Sequence, residues 1–498
     1  TSTFQDNLSA ITTTITTGIG NFNTVSGTTS SNIVFSGDGI ANLNNGLTGN
    51  VTTNTVNTGT LNLVGSNNQT VTGTVGSTNV LKDVNSGVTG TTSTFNGTVN
   101  SQNVTNTGSG TTIFKDDVTA TNVNVNAGTS TFQDNLSAIT TTITTGTGNF
   151  NTVSGTTSSD IVFGADGVAN LNNGLTGDIN FAGNDATVNV SDGKGILGSI
   201  ETLATNNTGI VNFKGDGTIS GNIGNIYGIK ELNINTNNEQ NNADGVLVTF
   251  DALGREIYAD VIALKNNATL TLSDGVDIIN TGSDNIIVTV DSTNKGILTF
   301  QGTSNIEGEV GQSNNVLNTI NAGATGKIVT FDDVVYATNL KYSDNGKVVL
   351  NGDNSSNANA EGLKGRVDFD SKAGTLEFGD DVNLTAGTTG TQFINANNAT
   401  LSFNGTSTVI GNLGSENGTN DTFKTINAGT LNETVKFEDN IYMMDSLNLS
   451  SDGKVQIADG SYVKRNTNSA TTGAMITTST DGFGDLEYLG TTLLYSDI

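Results

Sequence analysis

The side chains that could take part in catalysis in this sequence are mainly carboxylates, because histidine and cysteine are missing. The chain of 498 residues contains no His and no Cys. The sequence therefore excludes an imidazole base, a thiolate nucleophile and zinc sites built from these residues. Adjacent acidic residues occur at Asp116-Asp117, Asp332-Asp333 and Asp380-Asp381.

These pairs would be the acid and base of a β-helix that cleaves polysaccharides, if the chain were an enzyme. Neighbouring residues on a strand point to opposite faces, so adjacency in sequence does not by itself bring two carboxylates together. We therefore interpret all three pairs as solvated turn residues and predict no catalytic residues.

Two short segments, Gly37-Asp38-Gly39 and Gly215-Asp216-Gly217, resemble pieces of calcium-binding solenoid repeats. The full nine-residue pattern of such repeats does not recur in tandem, so we interpret both segments as turns. Only a hard cation such as calcium would suit the oxygen ligands of this chain, and then weakly. We predict no metal site and no cofactor.

The charge of the chain limits its partners. Acidic residues number 47 against 19 basic ones, which gives a formal net charge of −28. This charge argues against nucleic acid, which needs patches of Lys and Arg, and disfavours anionic lipid surfaces. No stretch approaches 18 consecutive apolar residues, so we expect no insertion of this segment into a membrane. The chain begins at Thr1, and we expect a mature product or an excised fragment.

Internal repetition is the strongest signal in the sequence. Residues 1–50 recur as 129–178, a shift of 128 positions. The six differences are Ile19/Thr147, Asn32/Asp160, Ser36/Gly164, Gly37/Ala165, Ile40/Val168 and Asn50/Asp178. A stacked solenoid tolerates the insertion of a near-copy, whereas an enzyme core rarely does.

A longer and looser repeat fills the later part, where Phe300 and Phe403 are 103 positions apart and Phe331 and Phe437 are 106 apart. The predicted organisation has four parts. These are a first solenoid module at 1–128, its duplicated start at 129–199, a continuing solenoid with repeats of about 105 residues at 200–465, and a terminal segment at 466–498.

Short alternating segments such as Leu61/Leu63 and Leu401/Phe403 predict strands with one apolar face, and turn signals such as Asn404-Gly405 follow closely. No helical periodicity is present. The pattern fits a parallel β-helix or a string of antiparallel sandwiches. The low apolar content and the abundance of Thr and Asn favour the first. We predict an all-β, right-handed parallel β-helix with roughly 20 to 25 residues per coil.

Aromatic residues recur at regular places in these repeats. We predict that Phe300, Phe331, Phe403 and Phe437 fill the interior of the coils, since aromatic residues at such positions are commonly buried. We expect the same of Tyr258, Tyr336 and Tyr442.

One run of motifs is distinctive. It begins with Leu-Thr-Phe-Gln-Gly-Thr-Ser at Leu298 and continues with Ile-Asn-Ala-Gly at Ile320 and Val-Tyr-Ala-Thr-Asn-Leu at Val335. These motifs resemble the passenger repeats of the rickettsial outer-membrane autotransporters, the surface cell antigen family. The resemblance covers about residues 200–465.

The resemblance implies export by a C-terminal β-barrel translocator, which we expect outside this chain because no series of amphipathic strands precedes Leu493. It also implies a place on the bacterial cell surface and outer membrane, and adhesion to or invasion of host cells through a host cell-surface protein. The leading hypothesis is a non-catalytic adhesin or invasin passenger. A structural surface-layer protein without a dedicated receptor and a glycan-active β-helix are the alternatives.

Overall fold

The computed structural model describes residues 1–183, 185–203, 205–235, 246–251, 254–282, 285–289, 293–352, 362–387, 390–478, 484–491 and 493–494. The chain divides into two compact units, Thr1–Asn237 and Asn238–Ile498. Within the described ranges both units are built of strands and turns, without any helix.

Unit 1 contains strands β1 to β27. Their bounds are Ser2–Phe4, Leu8–Ile15, Ile19–Phe22, Thr29–Phe35, Ile40–Leu43, Leu47–Thr48, Val51–Thr53, Thr58–Leu63, Gln69–Val71, Leu81–Ser86, Thr92–Phe95, Val99–Asn106, Thr111–Phe114, Val118–Val125, Thr129–Phe132, Leu136–Ile143, Thr147–Phe150, Thr157–Phe163, Val168–Leu171, Leu175–Thr176, Ile179–Phe181, Thr187–Val190, Lys194–Leu197, Ile200–Thr202, Thr208–Phe213, Gly217–Ile219 and Ile229–Ile234.

Unit 2 contains strands β28 to β53. Their bounds are Leu247–Phe250, Glu256–Leu264, Thr269–Leu272, Asp277–Asn280, Asn285–Thr289, Lys295–Phe300, Ser304–Ile306, Glu309–Val310, Leu317–Ala322, Ile328–Phe331, Val335–Tyr342, Lys347–Leu350, Leu363–Asp368, Thr375–Phe378, Leu384–Thr385, Gln392–Ile394, Thr400–Phe403, Ser407–Ile410, Phe423–Ala428, Thr434–Phe437, Ile441–Leu449, Lys454–Ile457, Tyr462–Arg465, Ile476–Thr478, Asp485–Tyr488 and Leu493–Leu494.

Each strand pairs in parallel with strands of the neighbouring coils. In the middle of unit 1, β13 pairs with β15 and β14 pairs with β16. The alternation of buried residues in β14 changes phase at Thr121, so this strand turns a corner and contributes to two faces. One coil therefore has three faces, one from β13 and two from β14. The predicted parallel β-helix is confirmed, and its right-handed sense remains a prediction.

The interior of each unit is a set of stacked apolar columns. In unit 1, Phe95, Phe114, Phe132 and Phe150 lie one above another, with ring centroids 5.0 to 5.5 Å apart. In unit 2, Phe300, Phe331, Phe403 and Phe437 are each at most 2% exposed. The core positions predicted for these four residues are therefore confirmed.

A row of amides runs along the outer surface of unit 1. The side-chain NH₂ of Asn42 donates to Asn21 Oδ1, that of Asn62 to Asn42, and that of Asn85 to Asn62, each at 2.8 Å. An amide can donate and accept at once, so identical positions in successive coils satisfy one another. Asparagine therefore stabilises the stacking from outside while phenylalanine does so from inside.

The strands of the described ranges stack in about 21 coils, and the coils differ in length. Asn149 follows its equivalent Thr131 by 18 positions, and Asn212 follows its equivalent Asn189 by 23. In unit 2 the step from Gln456 to Glu487 is 31 positions. The corners take up these differences, since the paired strands keep similar lengths while the turns between them vary.

The prediction of core positions for Tyr258, Tyr336 and Tyr442 is wrong, because all three are half-buried. The residues on either side of each tyrosine are the buried ones, as Val335 and Ala337 are beside Tyr336. Since side chains alternate between the faces of a strand, these tyrosines point outward.

A different tyrosine lies in the core. Tyr342 is fully buried, its ring stacks on Phe369 at 4.5 Å, and its hydroxyl donates to the carbonyl oxygen of Thr375 at 2.7 Å. Burial raises the pKa of Tyr342 well above the usual value, so the hydroxyl stays a donor. The alternation of Leu340 and Tyr342 was the sequence signal for this position.

Stacked coils predict that the first module can be removed without loss of the fold. Because each coil contacts mainly its neighbours, the shortened protein 129–498 should fold with its remaining coils intact. Far-UV circular dichroism should show the β spectrum of the full chain, and thermal unfolding should stay cooperative. Gross unfolding of 129–498 would contradict the stacked-coil description of unit 1.

Candidate functional site

The three carboxylate pairs lie at corners between strands. Asp116-Asp117 separates β13 from β14, Asp332-Asp333 separates β37 from β38, and Asp380-Asp381 separates β41 from β42. The residues of each pair are half-buried or exposed. In two pairs the second residue donates its own backbone N–H to the first carboxylate, at 2.9 Å from Asp117 to Asp116 and at 3.1 Å from Asp381 to Asp380. This placement agrees with turn residues, and the absence of a catalytic role stays a prediction.

Corner side chains bond one coil to the next. An oxygen of Asp380 accepts the backbone N–H of Thr406 at 2.8 Å, and an oxygen of Asp178 accepts that of Ser199 at 2.7 Å. These N–H groups belong to the coil that follows, so each bond satisfies a corner donor and fixes the spacing of two coils. Sequence reasoning missed this role, although an Asp or Asn at successive corners was visible.

One acidic cluster lies on two successive coils. Carboxylate oxygens of Asp116, Asp117 and Asp134 lie within 4.8 Å of one another. The side-chain NH₂ of Asn135 donates to Asp117 Oδ1 at 2.8 Å and offsets part of the negative charge. Oxygen ligands in this arrangement suit a hard cation, but exposed acidic groups commonly lie this close together without binding one. The expectation of no metal site remains a prediction.

The segment Gly37-Asp38-Gly39 lies in a turn, and the segment Gly215-Asp216-Gly217 lies in a turn that ends where β26 begins at Gly217. Asp38 forms an ion pair with Lys82 at 3.0 Å, and the hydrogen bond from Lys82 lowers the pKa of Asp38. The backbone N–H of Asp216 donates to Asp192 Oδ1 at 2.9 Å, which is another bond between coils. Both segments therefore help to hold successive coils together, which agrees with their interpretation as turns.

One exposed feature of unit 1 is a corner loop that occurs twice. The sequence Asn-Thr-Val-Ser-Gly-Thr fills 23–28 and again 151–156. The valine at its tip is 71% exposed at Val25 and 75% exposed at Val153. We refer to these segments as the first and second corner loops.

Each corner loop is held by a buried asparagine. Asn151 has a φ of 54° and donates from its side chain to the carbonyl oxygen of Asp134 at 2.7 Å, while Thr157 donates its hydroxyl to Asn151 Oδ1. Asn tolerates this left-handed conformation better than most residues. The N–H groups of Val153 and Ser154 both donate to the carbonyl oxygen of Gln133. The backbone therefore presents the valine in a fixed position.

The first corner loop has the same frame. Asn23 has a φ of 56° and donates to the carbonyl oxygen of Asp6 at 2.8 Å, and its Oδ1 accepts the hydroxyl of Thr29. The N–H groups of Val25 and Ser26 donate to the carbonyl oxygen of Gln5.

The two corner loops lie on different corners of unit 1. Starting from Asn21, the equivalent positions in successive coils are Asn42, Asn62, Asn85, Thr105, Asn124 and Thr142. The duplicate of Asn21 is Asn149. It follows Thr142 in the chain and pairs with Thr131 and Asn170, so it lies on the next face of the coil and not in the column of Asn21. The second copy is therefore displaced from the first by six full coils and one additional face. The duplicated side chains consequently point in two directions.

Among the described residues, no helix is long and apolar enough to span a lipid bilayer.

Comparison with known proteins gives one informative match. The chain is 28% identical to outer membrane protein A of Rickettsia rickettsii over 236 residues, which is 47% of this chain and 8% of that protein. The chain therefore spans a small part of the relative that it matches. No protein-family profile matches the chain, and no solved structure does.

This match confirms the resemblance that the motifs indicated. Stacked parallel coils together with similarity to a rickettsial outer membrane protein fit a segment of an autotransporter passenger domain. The relative is by name an outer membrane protein of a bacterium, so the predicted location at the bacterial surface and outer membrane is also confirmed.

Proposed function

We propose that this chain is a non-catalytic passenger that acts as an adhesin or invasin by contacting a host cell-surface protein. Its translocator lies outside these residues. The observation that carries the proposal is the corner loop that unit 1 presents twice, each time with an exposed valine on a rigid frame. A display scaffold needs this kind of surface, whereas an enzyme needs groups that converge.

The chemistry of the loop fits a protein partner. Its tip, Thr152-Val153-Ser154, carries no charge and sets one apolar side chain between two hydroxyls. An exposed apolar side chain can be buried in a recess of a partner while the uncharged polar groups around it exclude water at the rim. Because the loop backbone is already ordered, binding costs little conformational entropy.

Two copies allow two contacts at once where receptors reach both of the corners that carry them. When two sites on one molecule bind to a surface that carries many receptors, the second contact becomes intramolecular and the apparent affinity rises by roughly 10² to 10⁴. A host cell is such a surface. Duplication would then strengthen binding without any new loop chemistry.

The corner acids support a role without catalysis. The carboxylates of Asp178 and Asp380 accept backbone N–H groups of the neighbouring coil, so they serve in stacking. The three carboxylate pairs occupy separate corners in sequence positions far apart. No reaction is therefore assigned to them.

The test is binding of the purified chain to host cells. In the double variant Val25→Asp and Val153→Asp, we expect binding to fall by roughly 10² or more, because both apolar tips become charged. Either single variant should retain one contact and bind with intermediate strength. The matched control is Val56→Asp, which makes the same change at another valine that is 54% exposed.

Circular dichroism should show that all four variants stay folded, since the altered side chains face solvent. Equal binding by the double variant and the control would refute the role of the corner loops. Ordered two-dimensional assembly of the chain without any binding to cells would favour the structural surface-layer function instead.

A further inference from the structure

A groove opens on the surface of unit 1 beside the second corner loop. It has a volume of about 360 Å³, and Thr156 of the second corner loop is part of its lining. This volume is in the range of small-molecule sites in proteins. Strands β20, β23 and β26 run past the groove in three successive coils, because Leu175 pairs with Ile196 and Ile196 pairs with Ile219. The groove therefore extends across coils.

Glycines keep the groove open. Gly174, Gly193 and Gly195 all belong to its lining. A Cβ on Gly174 would lie 2.7 Å from the carbonyl oxygen of Gly195, and a Cβ on Gly193 would meet no atom within 4 Å. Because side chains are missing at these three positions, a ligand can approach the backbone closely.

A lysine in the lining has no anionic partner. Lys194 is half-buried, and its ammonium forms no ion pair or hydrogen bond within the part of the chain that the structure describes. The nearby carboxylate of Asp192 accepts the backbone N–H of Asp216 at 2.9 Å. Lys194 can therefore donate a charge-assisted hydrogen bond to the carboxylate of a ligand.

The other polar groups of the groove are uncharged. Thr176 and Thr218 are exposed, and their hydroxyls make no hydrogen bond to any described residue. The side-chain NH₂ of Asn173 donates to the carbonyl oxygen of Gly155, which leaves Asn173 Oδ1 as an acceptor. A hydroxyl can both donate and accept, so these groups match a ligand that itself carries several hydroxyls.

The strands at the groove offer no free edge to a peptide. β23 pairs with β20 on one side and with β26 on the other, so its backbone groups are used within the sheet. A peptide that binds as an added strand needs an unpaired edge. Polar contacts with a ligand therefore fall to the side chains, and Leu197, which is 63% exposed, adds an apolar surface for the carbon atoms of a ring.

We propose that this groove binds an acidic saccharide. Its carboxylate lies against Lys194, and its hydroxyls bond to Thr176, Thr218 and Asn173. This site is separate from the valines of the corner loops and takes a different class of ligand. The net charge of −28 opposes an anion at long range, but physiological salt largely screens charges more than about 8 Å apart. A direct contact with Lys194 acts within that distance.

The coil that follows the first copy, 1–50, differs at the equivalent place. In the strand register, Gln69 takes the position of Lys194 and is only 2% exposed. Thr70 takes the position of Gly195, so a side chain is present where the groove has none. We therefore expect one saccharide site in unit 1, although the corner loop occurs twice.

Isothermal titration calorimetry of the full chain at physiological ionic strength tests the proposal. The probes are sialyllactose and a hyaluronan oligosaccharide, which contain two different acidic sugars, and lactose, which contains none. At least one acidic probe should bind, with a single site per chain, and the responding probe identifies the acidic sugar. Lactose should bind at least roughly tenfold more weakly, because it cannot accept a charge-assisted hydrogen bond from Lys194.

Lys194→Gln copies the residue at position 69 and should weaken binding of the acidic probe by roughly tenfold or more, with an unchanged circular dichroism spectrum. Lys194→Arg keeps the charge and should retain most of the binding. The matched control is Lys115→Gln, which removes the same charge from an exposed lysine in another coil and should leave binding unchanged.

Three results would overturn the proposal. The first is that neither acidic probe binds. The second is that Lys194→Gln has no effect, or weakens binding only as much as Lys115→Gln does. The third is that an oligoglutamate peptide binds more tightly than both saccharides and loses its binding in Lys194→Gln, since the groove would then be a site for an acidic peptide.

Discussion

Replacing Phe132 with alanine should lower the free energy of unfolding by roughly 3 to 5 kcal/mol. Phe132 is 1% exposed and stacks on Phe114 and Phe150, with ring centroids 5.0 and 5.5 Å away. The change leaves a cavity in the middle of an aromatic column and removes both stacking contacts. Urea unfolding of the variant, followed by circular dichroism, measures the loss.

The sequence provides a matched control at Phe4, the duplicate of Phe132. Phe4 is half-buried and stacks on one ring, Phe22, at 5.2 Å. Solvent already reaches its other side, so Phe4→Ala should cost roughly half as much as Phe132→Ala, or less. Phe132→Leu keeps most of the volume but loses both stacking contacts, and should cost less than Phe132→Ala. Equal losses at Phe4 and Phe132 would show that the first coil is covered in solution.

The interior of the coils could be predicted from the sequence because the alternation of apolar and polar residues has a period of two. That period identified the strands and the buried positions of Phe300, Phe331, Phe403 and Phe437. The prediction of burial was wrong for the tyrosines, because it rested on the recurrence of aromatic residues and not on the alternation. The phase of the alternation, set by Ile441 and Met443 around Tyr442, was the better guide.

The direction in which each corner points could not be predicted. A duplicated segment faces the same way only if the shift is a whole number of coils, and the coils of unit 1 are unequal. One step, from Thr131 to Asn149, is 18 positions, and another, from Asn189 to Asn212, is 23. The length of each coil is set by which strands pair, and strand pairing cannot be read from one sequence. The number of coils between the two copies was therefore not predictable. The sequence therefore identified the corner loops as copies of each other, whereas only the strand register showed that they lie on two different corners.

The bonds between coils explain why this variation is tolerated. Each strand finds its partner through backbone pairing and a column of like side chains. Corners such as those at Asp178 and Asp380 are fixed by one carboxylate oxygen that accepts an N–H of the next coil. A longer corner therefore alters one bond and leaves the columns in place. Surface loops can differ in length and chemistry while the scaffold remains the same, which suits a display function.

The tightest corners depend on glycine, and Gly177→Ala should be among the most destabilising single substitutions in unit 1. Gly177 has a φ of +142°, and a Cβ there would lie 2.3 Å from the carbonyl oxygen of Ser159 in the preceding coil. The backbone conformation alone costs roughly 1 to 3 kcal/mol for a residue with a side chain. The clash adds roughly 1 to 3 kcal/mol, because two paired coils must separate to relieve it.

The control for the clash is Gly193→Ala. Gly193 also has a positive φ, +68°, but a Cβ there would meet no atom within 4 Å. Gly193→Ala should impose the cost of a positive φ without a steric clash, and should lower the free energy of unfolding by about 1 kcal/mol. Gly49, the duplicate of Gly177, has a φ of +146° and would set its Cβ 2.4 Å from the carbonyl oxygen of Ser31. Gly49→Ala should therefore lower the free energy of unfolding by urea about as much as Gly177→Ala does. If either substitution is no more destabilising than Gly193→Ala, the coils do not approach as closely at that corner as described.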